Sequence, residues 1–528
     1  MVDALSGGSA PSPPSKDPAD GLPARFGRNI TFNYAAAATN AVVTLVVTPL
    51  LLHRLGAAAF GVWSLAVSLT SYLELFEFGF GAATTKTVAE DAWRRPERVV
   101  RTLNTSLAVL AALGALAALT AMLLAAGSPA WFSFPADLRT EGAVAVAVMG
   151  LALAVSVPGD AFGGALAGHQ RYDMLSGSNL VQMLVTGVAT VAVVLAGGGI
   201  VALAVVTASI GVAMHVVRYR LLRRCVPTLR LTPRLVDRER LRPLMSLSWW
   251  FLVSQVMGTV IQRIDLVVVG ATLGVREVAV FAIGAKLAQF ALRGFRELSA
   301  VLMPHAASLF GAGRSDQLPA VVTDGTRISL LAAVPATLVL TVLAPGAIRT
   351  WVGRGYPEAA AVLAILVVAV GLRAAVEPTY GVLAASGQVR RLSAAYTAEG
   401  LVNLGASLAL VGPLGAPGVA LGTLIGTVAV PLPFSVIAQR DIGLATRSLW
   451  RGSVRPHLLP AAASGALLAT ARFGGVTGPA GFLAAAVAGL AAYVVVYFAV
   501  GATPSDRARA RAGLHAVRAR LRPRPVEA

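Results

Sequence analysis

LNTSLAVLAALGALAALTAMLLAAG, residues 103–127, carries no charge over twenty-five positions. A helix crossing the hydrocarbon core needs about 20 such residues, so this run is long enough to span a bilayer. Arg94, Arg95, Arg98 and Arg101 precede it, and only Arg139 stands in the stretch 131–140 beyond it. The run therefore carries an orientation, because basic loops stay on the cytoplasmic side. The rest of the chain repeats this pattern. It has 528 residues, is 56% hydrophobic and 13% charged, and its mean hydropathy is +0.72. Soluble domains carry about a quarter charged residues, which excludes that class.

Working outward gives fourteen spans, near 30–52, 60–83, 103–127, 142–168, 177–197, 200–217, 245–271, 276–308, 328–351, 358–386, 393–412, 416–438, 458–472 and 479–501. The thirteenth is short. With the N-terminus inside, 33 basic residues fall in inner segments, six in outer loops or at the outer edges of spans, and five deeper within spans. Both termini are thus expected to be cytoplasmic. The expected organisation is a disordered N-terminal tail (1–28), a first lobe (29–217), a basic cytoplasmic linker (218–244) and a second lobe (245–438). Two further spans (439–501) and a basic cytoplasmic tail (502–528) follow.

At a constant offset of 218, Leu55-Gly56 meets Leu273-Gly274, Gln170 meets Gln388, and Val201-Ala202-Leu203 meets Val419-Ala420-Leu421. Gly197 meets Gly415 in the same register. Six spans separate each pair, an even number, so the halves enter the membrane with the same orientation. Parallel repeats of this kind are related by an axis along the membrane normal, with the transport site at their interface. The fold class is all-α integral membrane, with two parallel six-helix lobes around a central cavity and two extra C-terminal helices.

The net charge of +19 does not imply nucleic acid. The basic residues track the membrane, where they also attract anionic lipid. Cys225 is the single cysteine, so the chain forms no intrachain disulfide. The six histidines are scattered, and no HExxH, CxxC, GxSxG or P-loop pattern occurs. Neither a metal nor a cofactor is expected, and the chain does not read as an enzyme.

Charges inside spans cost at least ~2.5–3.5 kcal/mol at the bilayer centre and so need partners or a water-filled cavity. The cations are Arg263, Lys286, Arg293, Arg296 and Arg373; the carboxylates are Glu74, Glu77, Asp160, Asp265, Glu297, Glu377 and Glu399. On span 8, Lys286, Arg293 and Glu297 share one face. Arg293–Glu297 and Arg373–Glu377 have the spacing of helical ion pairs, so pairing and substrate contact both stay open for these arginines. Arg293 and Arg296 also have the reach to snorkel. Lys286 has no charge one turn away, which favours a functional role. Asn33, Asn40, Thr44 and Thr48 form a polar seam on span 1, open to interhelical hydrogen bonding. Glu74 and Glu77 fit a solvated rim or ion coupling. Asp265 fits proton or Na⁺ binding, or a static pair with a cation on span 8.

Thr48-Pro49-Leu50-Leu51, Leu55-Gly56, Phe60-Gly61-Val62-Trp63 and Leu73-Glu74-Leu75-Phe76-Glu77-Phe78-Gly79 resemble the opening of the oligosaccharide flippases. These belong to the multidrug/oligosaccharidyl-lipid/polysaccharide exporter superfamily. Asp265 to Gly270, Val278 to Phe281, Lys286-Leu287, Gly168-His169-Gln170-Arg171-Tyr172 and Asn403 extend the likeness over about residues 29–500. The resemblance implies alternating access and a polyprenyl-pyrophosphate-linked oligosaccharide flipped to the outer leaflet of a bacterial plasma membrane. It also implies cavity cations that engage pyrophosphate: here Lys286, Arg293, Arg296, Arg263 and Arg373. Seven membrane carboxylates against five cations depart from a uniformly cationic cavity. They suit H⁺ or Na⁺ coupling, with Asp265, Glu77, Glu74, Asp160, Glu377 and Glu399 as candidates. Membrane lipids and glycan-assembly proteins are the implied partners of a monomer. A lipid II flippase and a cation-coupled multidrug exporter remain alternatives; a polytopic glycosyltransferase or polymerase lacks the outer carboxylate or long outer loop it needs.

Overall fold

In a computed structural model the chain is described over residues 22–91, 96–241, 244–245, 264–300, 306, 309–310, 313–353, 356–475, 478–504, 506–508 and 511. The described residues form helices and no strand. Nine of these helices are long and apolar enough to cross a membrane. The first half comprises α1 (Leu22–Leu73), α2 (Phe80–Asp91), α3 (Pro96–Trp131), α4 (Arg139–Gly168), α5 (Tyr172–Leu195) and α6 (Ile200–Cys225). The second comprises α7 (Ile264–Leu273), α8 (Val275–Ala300), α9 (Leu318–Val342), α10 (Ala344–Val352), α11 (Pro357–Ala385), α12 (Val389–Ala429) and α13 (Pro431–Asp441). Two last helices, α14 (Leu458–Phe473) and α15 (Gly478–Val496), pack on each other and on α9. The short thirteenth span is therefore a helix of 16 residues.

The turns carry the repeat. Expected spans 1 and 2 run as one element, α1, because the chain reverses at Gly56 alone, with φ 82°. Its counterpart Gly274 has φ 87° and separates α7 from α8. Gly197 and Gly415 repeat the device at φ 81° and 62°. A side chain in this region would strain the backbone, so these glycines make turns too tight for other residues.

Both halves contribute to one apolar core near these glycine turns. Phe60, Val62, Leu65 and Phe134 meet Val269, Val275, Ile283, Leu363 and Val419 there. At the opposite end, which carries the basic residues, the cores formed by the described residues are separate. Leu73, Phe80, Leu103, Leu166 and Leu222 form one, and Leu309, Leu318, Val322 and Val382 the other. Among the described residues the lobes are thus joined at the glycine-turn end and parted at the basic end. Gly61 of α1 lies against the backbone of Val275 and Ala279 of α8. Residues 61 and 279 are 218 apart, so equivalent positions of the two halves meet at the seam. Small residues let membrane helices approach this closely.

Two sequence expectations need correction. Span 6 does not end at 217, because α6 continues to Cys225 and takes Arg218 into the bundle. The expected linker is also packed down over part of its length. Asn104 bonds the backbone of Arg230 and Thr232, and Arg240 reaches Asp91 at 3.1 Å and Thr102 at 2.7 Å.

Candidate functional site

Between the lobes lies a cavity of about 650 Å³ lined by α1, α5, α6, α8 and α10. Most of its polar groups are hydroxyls and amides: Thr44, Thr48, Asn179, Gln182, Thr186, Thr190, Thr207 and Gln289. Lys286 is the charged side chain in this lining. Its Nζ donates to Thr48 Oγ1 at 3.3 Å and stands 4.8 Å from the centre of the Phe60 ring. Both contacts cross from the second lobe to the first. Among the described residues no carboxylate pairs with it, so the static pair with Asp265 that the sequence allows is not what holds it here. The hydroxyl and ring leave the ammonium able to bind an anion.

A polar chamber of the first lobe adjoins this cavity. Thr70, Glu74, Glu77, Asp160, His215 and Arg218 line a space of about 390 Å³, and Gln182 and Thr207 line both it and the central cavity. A neighbouring space of about 410 Å³ is lined by Glu77, Asp160, Asn179 and Arg218. Local structure explains Glu77. The chain leaves α1 through one 3₁₀ turn, Glu74–Glu77, then takes positive φ at Phe78 and Gly79. Glu77 Oε1 accepts from the Gly81 amide at 2.7 Å, capping the start of α2. Arg218 is buried and held by neutral partners: Asn179 at 2.9 Å, Gln182 at 2.7 Å, His215 at 3.3 Å and Ser178 at 3.5 Å. Asp160 makes no hydrogen bond or ion pair among the described residues.

In the second lobe the charges are used differently. Asp265, buried on α7, accepts from Thr423 Oγ1 of α12 at 2.7 Å, with Asn403 beside it. Its second oxygen is buried with no hydrogen-bond partner among the described residues. Ser407 bonds Asn403 at 3.0 Å and the Val419 carbonyl at 3.2 Å, completing a group of oxygens. Arg373 is buried and paired. Glu399 grips it from α12, Glu377 pairs at 3.4 Å, and the Tyr380 and Tyr396 rings lie 5.3 Å away. The i,i+4 pair expected with Glu377 forms, and the cross-helix bond to Glu399 is the shorter one. Glu377 and Glu399 are thus engaged by Arg373.

Arg263 lies outside the described residues, as do the side chains of Asn33, Asn40, Arg293, Arg296 and Glu297. Of the polar seam, Thr44 and Thr48 line the central cavity. The sequence reading missed Arg218, His215, Asn179 and Gln182. The signal was present, since Asn179, Gln182 and Thr186 recur at helical spacing on α5. In the sequence Arg218 reads as part of the linker, because it heads the nine arginines of residues 218–243.

The family described as polysaccharide biosynthesis protein matches this chain over residues 26–310, more than half of its length. No curated protein matches at a significant level. Among solved structures, the fold is shared with the lipid II flippase MurJ in an inward closed conformation. The TM-score is 0.67 at 13% identity, covering 88% of this chain and 98% of that one. An inward-facing multidrug resistance MATE transporter of the MOP superfamily gives 0.65 at 16% identity, covering 77% and 98%. A MOP superfamily transporter from Pyrococcus furiosus gives 0.54 at 16%, covering 80% and 95%.

Proposed function

Since the chain belongs to the polysaccharide biosynthesis protein family and has the fold of MOP superfamily transporters, we propose that it flips a polyprenyl-pyrophosphate-linked oligosaccharide across a bacterial plasma membrane. The observation that carries this reading is Lys286. An ammonium at mid-span, with no carboxylate partner among the described residues, lines a cavity between two lobes. Pyrophosphate is the group in such a substrate that would offset its desolvation. Both termini are assigned to the cytoplasm on the positive-inside count, which makes the parted end cytoplasmic.

Ion coupling is assigned to Asp265 in the second lobe. The donors there are oxygens of Asp265, Asn403, Ser407, Val419 and Thr423, the type that hard cations take. The buried, unpaired oxygen of Asp265 supports either Na⁺ or a proton at this position. Cation binding would supply free energy that differs between the two lobe arrangements. The two lobes, with α14 and α15 outside them, suffice in one copy, so the working unit is taken as a monomer beside glycan-assembly partners.

Deleting the gene and extracting the lipids tests this reading. Mass spectrometry should find a polyprenyl-pyrophosphate oligosaccharide accumulating, and restoring the gene should clear it. Accumulation of a peptide-bearing disaccharide lipid would instead assign lipid II. No change in polyprenyl-linked sugars would refute the proposal.

A further inference from the structure

The first lobe holds two opposite charges that line one chamber without pairing. Asp160 of α4 has no hydrogen bond or ion pair among the described residues, and it faces both polar spaces. Arg218 of α6 faces them too, yet its partners are amides, a hydroxyl and an imidazole. A guanidinium has five N–H donors, and the four contacts leave one for a ligand. Charges kept apart in a membrane interior cost free energy unless something else satisfies them.

The chamber's chemistry narrows what that is. A bare small cation is disfavoured, because the spaces of about 390 and 410 Å³ are far larger than an ion. An anion is disfavoured as well, because among the described lining residues Glu74, Glu77 and Asp160 outnumber the one guanidinium, Arg218. A neutral polyhydroxyl group suits carboxyl, amide and guanidinium together, since each hydroxyl both donates and accepts. Asn179, Gln182 and Thr207 connect this chamber to the cavity of Lys286. One ligand could therefore reach both, with its anionic part at Lys286 and a hydroxylated part beyond it.

We propose that this chamber, between α1, α4, α5 and α6, binds the sugar end of the substrate and selects neutral or amino sugars over acidic ones. The inference rests on the lipid-linked oligosaccharide reading and deepens it by naming the class of glycan. Asp160 and the Glu74 rim are its selecting groups. Arg218, Asn179 and Gln182 supply the remaining hydrogen bonds.

The test uses the full-length protein in lipid nanodiscs and three probes. They are polyprenyl pyrophosphate without sugar, the same lipid with a neutral trisaccharide, and the same lipid with a terminal uronic acid on that trisaccharide. Affinities are measured by titration. The neutral form should bind roughly tenfold more tightly than the acidic form, a difference of about 1.4 kcal/mol. Asp160→Asn keeps the side-chain shape, and it should narrow that ratio to roughly threefold or less. Glu74→Gln, at the exposed rim, should narrow it too, which guards against a misfolded Asp160→Asn protein. Equal binding of both glycans by the natural protein overturns the inference and leaves the flippase reading standing. An unchanged ratio in both variants does the same, as does an Asp160→Asn protein altered only in its Na⁺ dependence. Failure of the sugar-free polyprenyl pyrophosphate to bind, with no effect of Lys286→Gln, overturns the flippase reading and the inference together.

Discussion

Lys286 and Arg373 are both cations on membrane helices, and the structure gives them opposite circumstances. Lys286 touches a hydroxyl and a ring, so its removal strands no carboxylate among the described residues. Lys286→Gln should therefore melt near the natural protein while losing flipping in a reconstituted assay. Lys286→Arg should retain part of the activity, because the charge stays while the geometry changes. A destabilised Lys286→Gln protein would show that a carboxylate depends on it. Arg373 sits between Glu399 and Glu377 under two tyrosine rings. Removing Glu399 leaves the buried guanidinium with the longer contact to Glu377 as its remaining ion pair. Glu399→Gln should cost ~3–5 kcal/mol of stability, seen as a lower melting temperature, where Lys286→Gln costs little.

At the scale of elements, the C-terminal segment departs most from its expected role. A basic tail beginning at 502 reads as dispensable, lying on anionic headgroups. Asp506 instead turns back into the bundle, where it accepts from Tyr497 at 3.1 Å, from the Thr503 amide at 3.0 Å and from the Thr503 hydroxyl at 2.8 Å. It also pairs with Arg327 of α9 at 3.2 Å, beside the stacked rings of His457, Tyr493 and Tyr497. This cluster fastens α14 and α15 to the second lobe. Burial pushes the Asp506 carboxyl up, yet the Thr503 bonds, Arg327 and Tyr497 outweigh it and hold it below the usual carboxylate range. Its contribution is present above the unfolded pKa of about 3.9 and is lost as pH falls through the lower folded value. Truncation after Ala502 should therefore lower the melting temperature, and truncation after Arg511 should not. In the full chain, Asp506→Asn should remove stability at pH 7 and make little difference below about pH 3. Equal melting of the two truncations would show that the fastening contributes nothing.

Over the whole molecule, the legible part was the part written as long periods. Apolar runs and basic loops gave the spans, and an offset of 218 gave glycine turns that the structure repeats at Gly56 and Gly274. Side-chain partnership across helices was not legible, because it depends on helix rotation. Asp265 meets Thr423, 158 positions away, and Arg373 meets Glu399 on the next helix. Arg218 was hidden for a different reason, since a helix end set by charge density cannot reveal that one arginine turns inward. The seam at Gly61 follows from the repeat, and it bears on transport. A side chain there would run into the Val275 backbone of the other lobe, which cannot yield as a flexible side chain would. Overpacking of this kind costs ~1–3 kcal/mol, enough to shift a two-state equilibrium by roughly fivefold to more than a hundredfold. The clash acts only on the arrangement in which the glycine-turn ends are joined. Gly61→Leu should therefore favour the alternative in which those ends separate. Spin labels on cysteines at exposed His53 and Glu358, in a Cys225→Ser background, report that end directly. The natural seam should give one short distance and Gly61→Leu a second, longer one, with flipping slowed because the return step is disfavoured. A single unchanged distance in a folded Gly61→Leu protein would mean that the lobes do not part at this seam.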